Sequence, residues 1–429
     1  VKGVVRLGLL CALLQACAPS PPPNIVLVIA DDLGYTDLGF MGSRVARTPH
    51  LDRLAAEGTV FPVGYSTASV CRPALRSLLT GLQPIQYTLR EQWLAREGIP
   101  SSPAAPVIRS MATLPRLLAA RGYASFQAGK HFEGPYEAAG FSEGMNHVGG
   151  RAGFDAGTRL VRETVEPVYD FLERHRDGPF FLWFAPMIPH LPHDPPRELL
   201  RGLGDAPLPP GARPYYASIR WLDGAVGDLL GRLDSLGLRE RTLVVFLSDN
   251  GWDTARPDDP KQTLIGGSKG KKSLHELGYR TPIVFCWPGR IPAGVVDERL
   301  VSIVDLYPTL LDFAGVPVPA GREGASLRSV LEGRGGEERA ALIGSADGVR
   351  GDRFAPQRGG FFWRTRRWHY LARLQAGDAL YDLEADPEET RDVAALHPDV
   401  VKRARDAARA WQKHVVAITP PRDDLRNAR

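Results

Sequence analysis

Residues 24–32 read Asn-Ile-Val-Leu-Val-Ile-Ala-Asp-Asp. The apolar residues are consecutive rather than alternating. That pattern predicts a strand buried on both faces, as in a parallel sheet covered by helices. Asp31 and Asp32 close the run. Further strand-like runs are Tyr123 to Ala128, Pro179 to Ala185, Thr242 to Ser248 and Thr281 to Trp287. Helical stretches are interleaved with them: Thr48-Pro49 to Gly58, Thr113 to Gly122, one closing at Asp170 to Arg176, Tyr215 to Leu236, and Val304 to Phe313. Strands alternating with helices imply an α/β fold, a largely parallel sheet with helices on both faces.

Past about residue 340 the pattern changes. Short strand-like runs at Phe361 to Trp363, Trp368 to Ala372 and Ala379 to Tyr381 precede a helix from about Asp399 to Val415. These residues predict a small C-terminal α+β subdomain, with a loose tail after Thr419. The expected organisation is a main domain over 24–339 and the subdomain with its tail over 340–429.

In open α/β sheets the ligand lies beyond the carboxyl ends of the strands. The unusual polar residues fall there. Asp31 and Asp32 follow the first strand, Lys130 and His131 the second, His190 the third, Asp249 and Asn250 the fourth. Three carboxylates and an amide are hard oxygen donors, suited to Ca²⁺ or to Mg²⁺. Without a cation, three carboxylates in one pocket would repel one another and resist ionisation. Taken singly, either pair also reads as a loop cap, because Asp and Asn commonly follow strands.

A second stretch carries chemistry: Ser69-Val-Cys-Arg-Pro-Ala-Leu-Arg-Ser-Leu-Leu-Thr-Gly81. Pro73 suits the first turn of a helix. Leu75, Leu78 and Leu79 follow at helical spacing, and Gly81 is a stop. Cys71 stands at the helix start, where unpaired N–H groups and the dipole favour an anion such as a sulfate or phosphate ester. A small buried cysteine is the other reading of that position.

The chain has 429 residues, 43% hydrophobic and 24% charged, with a net charge of +4. So small an excess gives no case for nucleic-acid binding. Lys2 and Arg6 followed by the apolar run Leu7 to Leu14 read as a signal over residues 1–16, too short to span a bilayer. The ending Leu14-Gln-Ala-Cys17 resembles a bacterial lipoprotein signal. It implies an exported protein anchored through a lipidated Cys17, with 17–23 as tether; a plain secretory signal is the alternative. Cys11 and Cys17 fall in that segment and Cys286 reads as a buried thiol, so no disulfide framework is required.

The motifs together resemble the type I sulfatases of the alkaline-phosphatase-like superfamily. Their signature runs Cys-x-Pro-x-Arg, then a Leu-rich segment ending in Thr-Gly, and Cys71, Pro73, Leu78, Leu79, Thr80 and Gly81 fit it. The resemblance implies that a maturation enzyme oxidises Cys71 to formylglycine. It implies that Asp31, Asp32, Asp249 and Asn250 hold the cation. Gly129, Lys130 and Gly134 match a Gly-Lys-Trp-His-x-Gly motif. Pro189-His190-Leu191-Pro192 match a Pro-His-x-Pro motif. Lys271, Ser273, Glu276, Gly278, Arg280 and Pro282 match the run that supplies a second sulfate lysine. Further matches at Thr48 to Asp52, Val304 to Thr309 and Leu380 to Leu383 extend the likeness over nearly all of the chain beyond the signal.

The implied activity is hydrolysis of a sulfate ester, such as a carbohydrate sulfate. Lys130, His190 and Lys271 would serve the sulfate and the leaving oxygen, and His131 is a candidate base. Two positions depart from the family. Leu75 stands where it carries arginine, about 40° round the helix from Cys71, with Arg76 one step late and about 140° from Cys71. Phe132 stands where it carries histidine. Alternatives are a phosphate or phosphonate ester hydrolase of the same superfamily, and a catalytically silent sulfatase-like lipoprotein with an unmodified Cys71. His193, His275 and Trp252 are weaker candidates for the substrate mouth. His50, His147, His175, His369, His397 and His414 read as surface or structural.

Overall fold

The computed structural model of the chain describes residues 22–98, 105–146, 152–204, 208, 212–252, 269–345, 360–373, 377–420 and 423. The expected signal, Cys17 and His147 lie outside them. In chain order the strands are Asn24–Ala30 (β1), Thr59–Phe61 (β2), Gly64–Tyr65 (β3), Ala124–Gly129 (β4), Glu143–Gly144 (β5), Phe180–Ala185 (β6) and Thr242–Ser248 (β7). Then follow Ile283–Cys286 (β8), Val295–Val296 (β9), Val301–Ser302 (β10), Leu342–Ser345 (β11), Phe361–Arg364 (β12), Trp368–Ala372 (β13) and Ala379–Asp382 (β14).

The main sheet has the order β5-β4-β6-β1-β7-β8-β2-β9. The pairs from β5 through β7 are parallel. β8 is reversed, running antiparallel to both β7 and β2. The carboxyl ends of β4, β6, β1 and β7 therefore lie side by side. β1 is buried along its whole length. Ile25, Leu27 and Ile29 join a core with Leu75, Leu78 and Leu79 of helix Cys71–Thr80 and Leu310 of helix Leu306–Phe313. Val26 and Val28 face the opposite core, with Leu51 and Leu54 of helix Pro49–Ala56 and Leu222 and Val226 of helix Arg213–Ser235. Period-two alternation of apolar residues with both faces covered explains the continuous run.

The strands β11-β12-β13-β14 form a second, antiparallel sheet. One face, with Phe362 and Leu371, packs on Tyr65, Leu274 and Tyr279 of the main body. The other, with Trp363, Tyr370 and Leu380, is covered by Val400, Val401 and Ala404 of helix Pro398–Ile418.

The tail is not loose at Asp423. Its carboxylate receives Arg90 Nη1 and Nη2 (2.7 and 2.9 Å), Arg322 Nη1 and Nη2 (2.8 and 2.9 Å) and the N–H of Ala112 (2.8 Å). Local sequence does not disclose this, because the partners are contributed by segments remote in the chain. The same holds for helix Pro84–Arg96, which buries Gln86 and Arg90 beside Ile85 and Leu94 and so lacks a clean apolar stripe.

Candidate active site

Backbone bonds lock three strand ends together. The N–H of Asp31 donates to Ile188 O (3.1 Å), that of Asp249 to Ala30 O (3.0 Å), and that of Asp32 to Asp249 Oδ1 (3.3 Å). Asp32 sits at φ 60°, a left-handed conformation that Asp tolerates better than most side chains. Lys130 follows β4 directly. Its N–H donates to Ala185 O (2.7 Å) and its carbonyl accepts from Trp183 Nε1 (3.1 Å). All of these anchors are buried.

The side chains converge on Cys71, the first residue of its helix. Its Sγ lies 3.4 Å from Asp31 Oδ1, 3.6 Å from Asp32 Oδ1 and 3.2 Å from Lys271 Nζ. Lys271 Nζ donates to both oxygens of Asp32 at 2.7 Å. Lys130 Nζ pairs with Asp31 and lies 3.7 Å from Asp249 Oδ2. His190 Nε2 is 3.5 Å from Asp32 Oδ2. The other ring nitrogen, Nδ1, faces the carbonyl of Leu191. A carbonyl only accepts, so Nδ1 carries a proton there. Arg162, which no motif marks, brackets the His190 loop: it donates to Met187 O (2.8 Å), Pro192 O (3.2 Å) and Asp194 Oδ1 (3.0 Å).

The electrostatics are those of a crowded dry pocket. Burial pushes the Cys71 thiol far above its ordinary range, and Asp249 adds to it. A thiol so held is protonated and a poor nucleophile. Burial, with the Asp31 charge beside it, drives Asp249 upward. Burial acts on Asp32 in the same sense, but Lys271, then His190 and Lys130, outweigh it and hold Asp32 below the usual carboxylate range.

Two oxygens, Asp249 Oδ2 and Asn250 Oδ1, are buried without a hydrogen-bond donor among the described residues. The Asn250 amide nitrogen is fixed by Asp32 Oδ1 and Gly251 O, both at 2.7 Å, which turns Oδ1 the other way. Buried acceptors without a hydrogen-bond donor, one of them on a carboxylate that resists ionisation, fit a hard divalent cation. Asp31, Asp32, Cys71 and His190 also bring one ligand atom each within 4.8 Å of one another.

The structure sends His131 elsewhere. β4 ends at Gly129, whose positive φ of 86° turns the chain before Lys130 and His131. Lys130 turns to Asp31, and His131 turns into the core, its ring edge-on to Phe141 at 5.8 Å. Burial lowers it to about 4. None of its described contacts reaches Cys71, so the assignment as base is withdrawn. Trp252 is also no wall of the mouth: it is fully buried, and its carbonyl accepts the N–H of Lys271 at 2.7 Å. His275 lies behind Lys271, on Glu389. The ring of His193 meets that of Tyr215 at 5.6 Å.

The departures have a structural counterpart. Leu75 is 4% exposed and joins the core beneath the sheet. Arg76 pairs instead with Glu91 and with Glu133 (2.7 Å), under the ring of Tyr87. Phe132 lays its ring 5.2 Å from Lys130 Nζ.

Comparison with known proteins gives a consistent result. Residues 23–316 match the sulfatase family, and residues 267–403 match the family described as N-sulphoglucosamine sulphohydrolase, C-terminal. Human (Homo sapiens) arylsulfatase A is 33% identical over 439 aligned residues, covering 89% of this chain and 80% of that protein. N-acetylgalactosamine-6-sulfatase of Canis lupus familiaris is 33% identical, covering 72% of this chain and 65%, just under two thirds, of its own length. In fold, the chain is similar to a protein solved with its substrate D-glucosamine-2-N,6-O-disulfate: TM-score 0.72, 20% identity, 93% of this chain and 99% of that one.

Proposed function

The chain belongs to the sulfatase family, whose chemistry is sulfate ester hydrolysis, and from that premise we propose a substrate and a site. The substrate is a sulfate monoester on a carbohydrate. The site uses a formylglycine made from Cys71 by a maturation enzyme, with Ca²⁺, or Mg²⁺ in its place, held by Asp31, Asp32, Asp249 and Asn250. The observation that carries the reading is the meeting of these four side chains with Cys71, Lys130, His190 and Lys271 at adjacent strand ends. The carbohydrate is suggested by relatives named for N-acetylgalactosamine-6-sulfate and by the glucosamine disulfate complex.

The charges suit an anionic ester. Asp31, Asp32 and Asp249 against Lys130 and Lys271 leave one net negative charge. A bound divalent cation would reverse it, and a protonated His190 would add to the positive side, so the site would attract an ester anion. The cation also supplies Lewis acidity, and the oxidised Cys71 supplies an oxygen nucleophile that a protonated thiol does not. Lys130 and Lys271 take up charge on the sulfate oxygens. Doubly protonated His190, its Nδ1–H donated to Leu191 O and its Nε2–H beside Asp32, would give the Nε2 proton to the departing alcohol.

The test is hydrolysis of matched aryl sulfate, phosphate and phosphonate esters, with and without a chelator. The sulfate should be preferred and the chelator should abolish its turnover. Phosphonate preference, or full activity in chelator, would contradict the reading. Leu75 and Phe132 favour one other reading, a silent binding protein with Cys71 intact, and absence of turnover on every ester would support it. We also propose export and anchoring through Cys17; palmitate labelling that Cys17→Ser fails to remove would refute the anchor.

A further inference from the structure

The segment 269–276 carries Lys271 into the site, and one residue of the C-terminal unit grips it at both ends. Glu389 lies in the turn after β14, at φ 55° and with its side chain 2% exposed. A non-glycine residue holds that conformation only when its surroundings impose it. Glu389 Oε2 accepts from His275 Nδ1 (3.1 Å) and from the N–H of Glu276 (3.0 Å). Oε1 accepts from Nδ1 of His369 on β13 (2.6 Å). The main-chain carbonyls of Glu388 and Glu389 accept from Lys269 Nζ (2.6 and 2.9 Å). Between these anchors the N–H of Lys272 donates to Ser69 O at 3.0 Å, close to Cys71 in the chain. Burial works against the charge on Glu389, but His369 and His275 outweigh it and hold the carboxyl below the usual range.

A lysine is a point charge on a flexible stem, so its aim depends on how firmly its backbone is held. We propose that Glu389 is a positioning residue for Lys271. Through its grip on 269–276 it fixes the Lys271 ammonium 2.7 Å from Asp32 and 3.2 Å from Cys71. The effect on turnover rests on the reading of Lys271 as a sulfate ligand; the placement of the side chain does not.

The experiment reads both. Acylation of the full chain with an amine-selective ester, quantified by peptide mass spectrometry, reports access to Lys271, with Lys130 as internal reference. Glu389→Gln should raise Lys271 labelling about tenfold and leave Lys130 unchanged, as expected for lost hydrogen bonds to a charged acceptor. It should lower kcat/KM on an aryl sulfate about tenfold in the wild type but less than about twofold in a Lys271→Ala background. Unchanged Lys271 labelling, a parallel rise at Lys130, or equal losses in both backgrounds would overturn the proposal. Lys269→Met cuts the other anchor at the surface and covers the case in which Glu389→Gln does not fold; unchanged Lys271 labelling there would overturn it as well. Labelling as predicted in a protein that hydrolyses no sulfate ester would support the positioning and sink the functional reading instead.

Discussion

Arg76 illustrates how one step along a helix separates a structural charge from a catalytic one. Its guanidinium is buried against Glu133, whose carboxyl is also enclosed. Burial works against the Glu133 charge, but Arg76 and then Arg72 outweigh it and bring it from 4.5 to about 2. A carboxyl depressed in the folded state contributes stability above its unfolded value and loses it as pH falls through the folded one. Arg76→Met leaves buried Glu133 with the half-exposed Arg72 (3.2 Å) as its remaining ionic partner, so it should cost about 2 kcal/mol at pH 7. The gap to wild type should shrink between about pH 4.5 and 2, read by urea denaturation across pH. Turnover per folded molecule should stay within about threefold. A large loss of turnover with unchanged stability would mean that Arg76 reaches the site after all. The arginine's sequence position already argued against that, since 100° per residue places it on another face than Leu75.

At the scale of elements, β1, β6, β7 and β8 were legible because both of their faces are buried and the apolar residues are continuous, whereas β2, β5 and β9, of two or three residues each, leave no such run. β11, with its mixed burial, carries no such signal. Helix Pro84–Arg96 was hidden for a related reason, since its inner face is polar where it meets the tail. Gln86 Nε2 reaches Gly321 O (2.7 Å) and Thr419 Oγ1 (3.1 Å), and Arg90 reaches Asp423. Asp423→Ala strands two guanidiniums, each 1% exposed, and should cost about 3 kcal/mol, read as a lowered Tm. An unchanged Tm would show that the tail contributes nothing to holding that helix. His131 failed as a candidate at this same scale: it stands beside Lys130 in sequence, but past the turn at Gly129 its ring packs on Phe141.

The whole molecule is a device for bringing distant residues to one edge of a sheet. β1 and β7 pair in register from Asn24 with Thr242 to Ala30 with Ser248, so Asp31-Asp32 and Asp249-Asn250 emerge together. β4 and β6, on the other side of β1, add Lys130 and the His190 loop. Asp31-Asp32 and Asp249-Asn250 were readable from sequence because each pair closes a continuous apolar run, whereas Lys130 follows a strand that carries Ser125 and Gln127. The supports were not: Arg162 and Glu389 act through loop carbonyls and backbone N–H groups, which leave no periodic trace. Cys71 sits at the convergence as a deeply protonated thiol, and the proposed chemistry requires that it be changed. The direct measurement is mass spectrometry of the tryptic peptide containing residue 71 from protein made in its native cells. The account predicts a mass about 18 units below that of the cysteine form, the mark of oxidation to formylglycine. An intact thiol in all of the protein would contradict it.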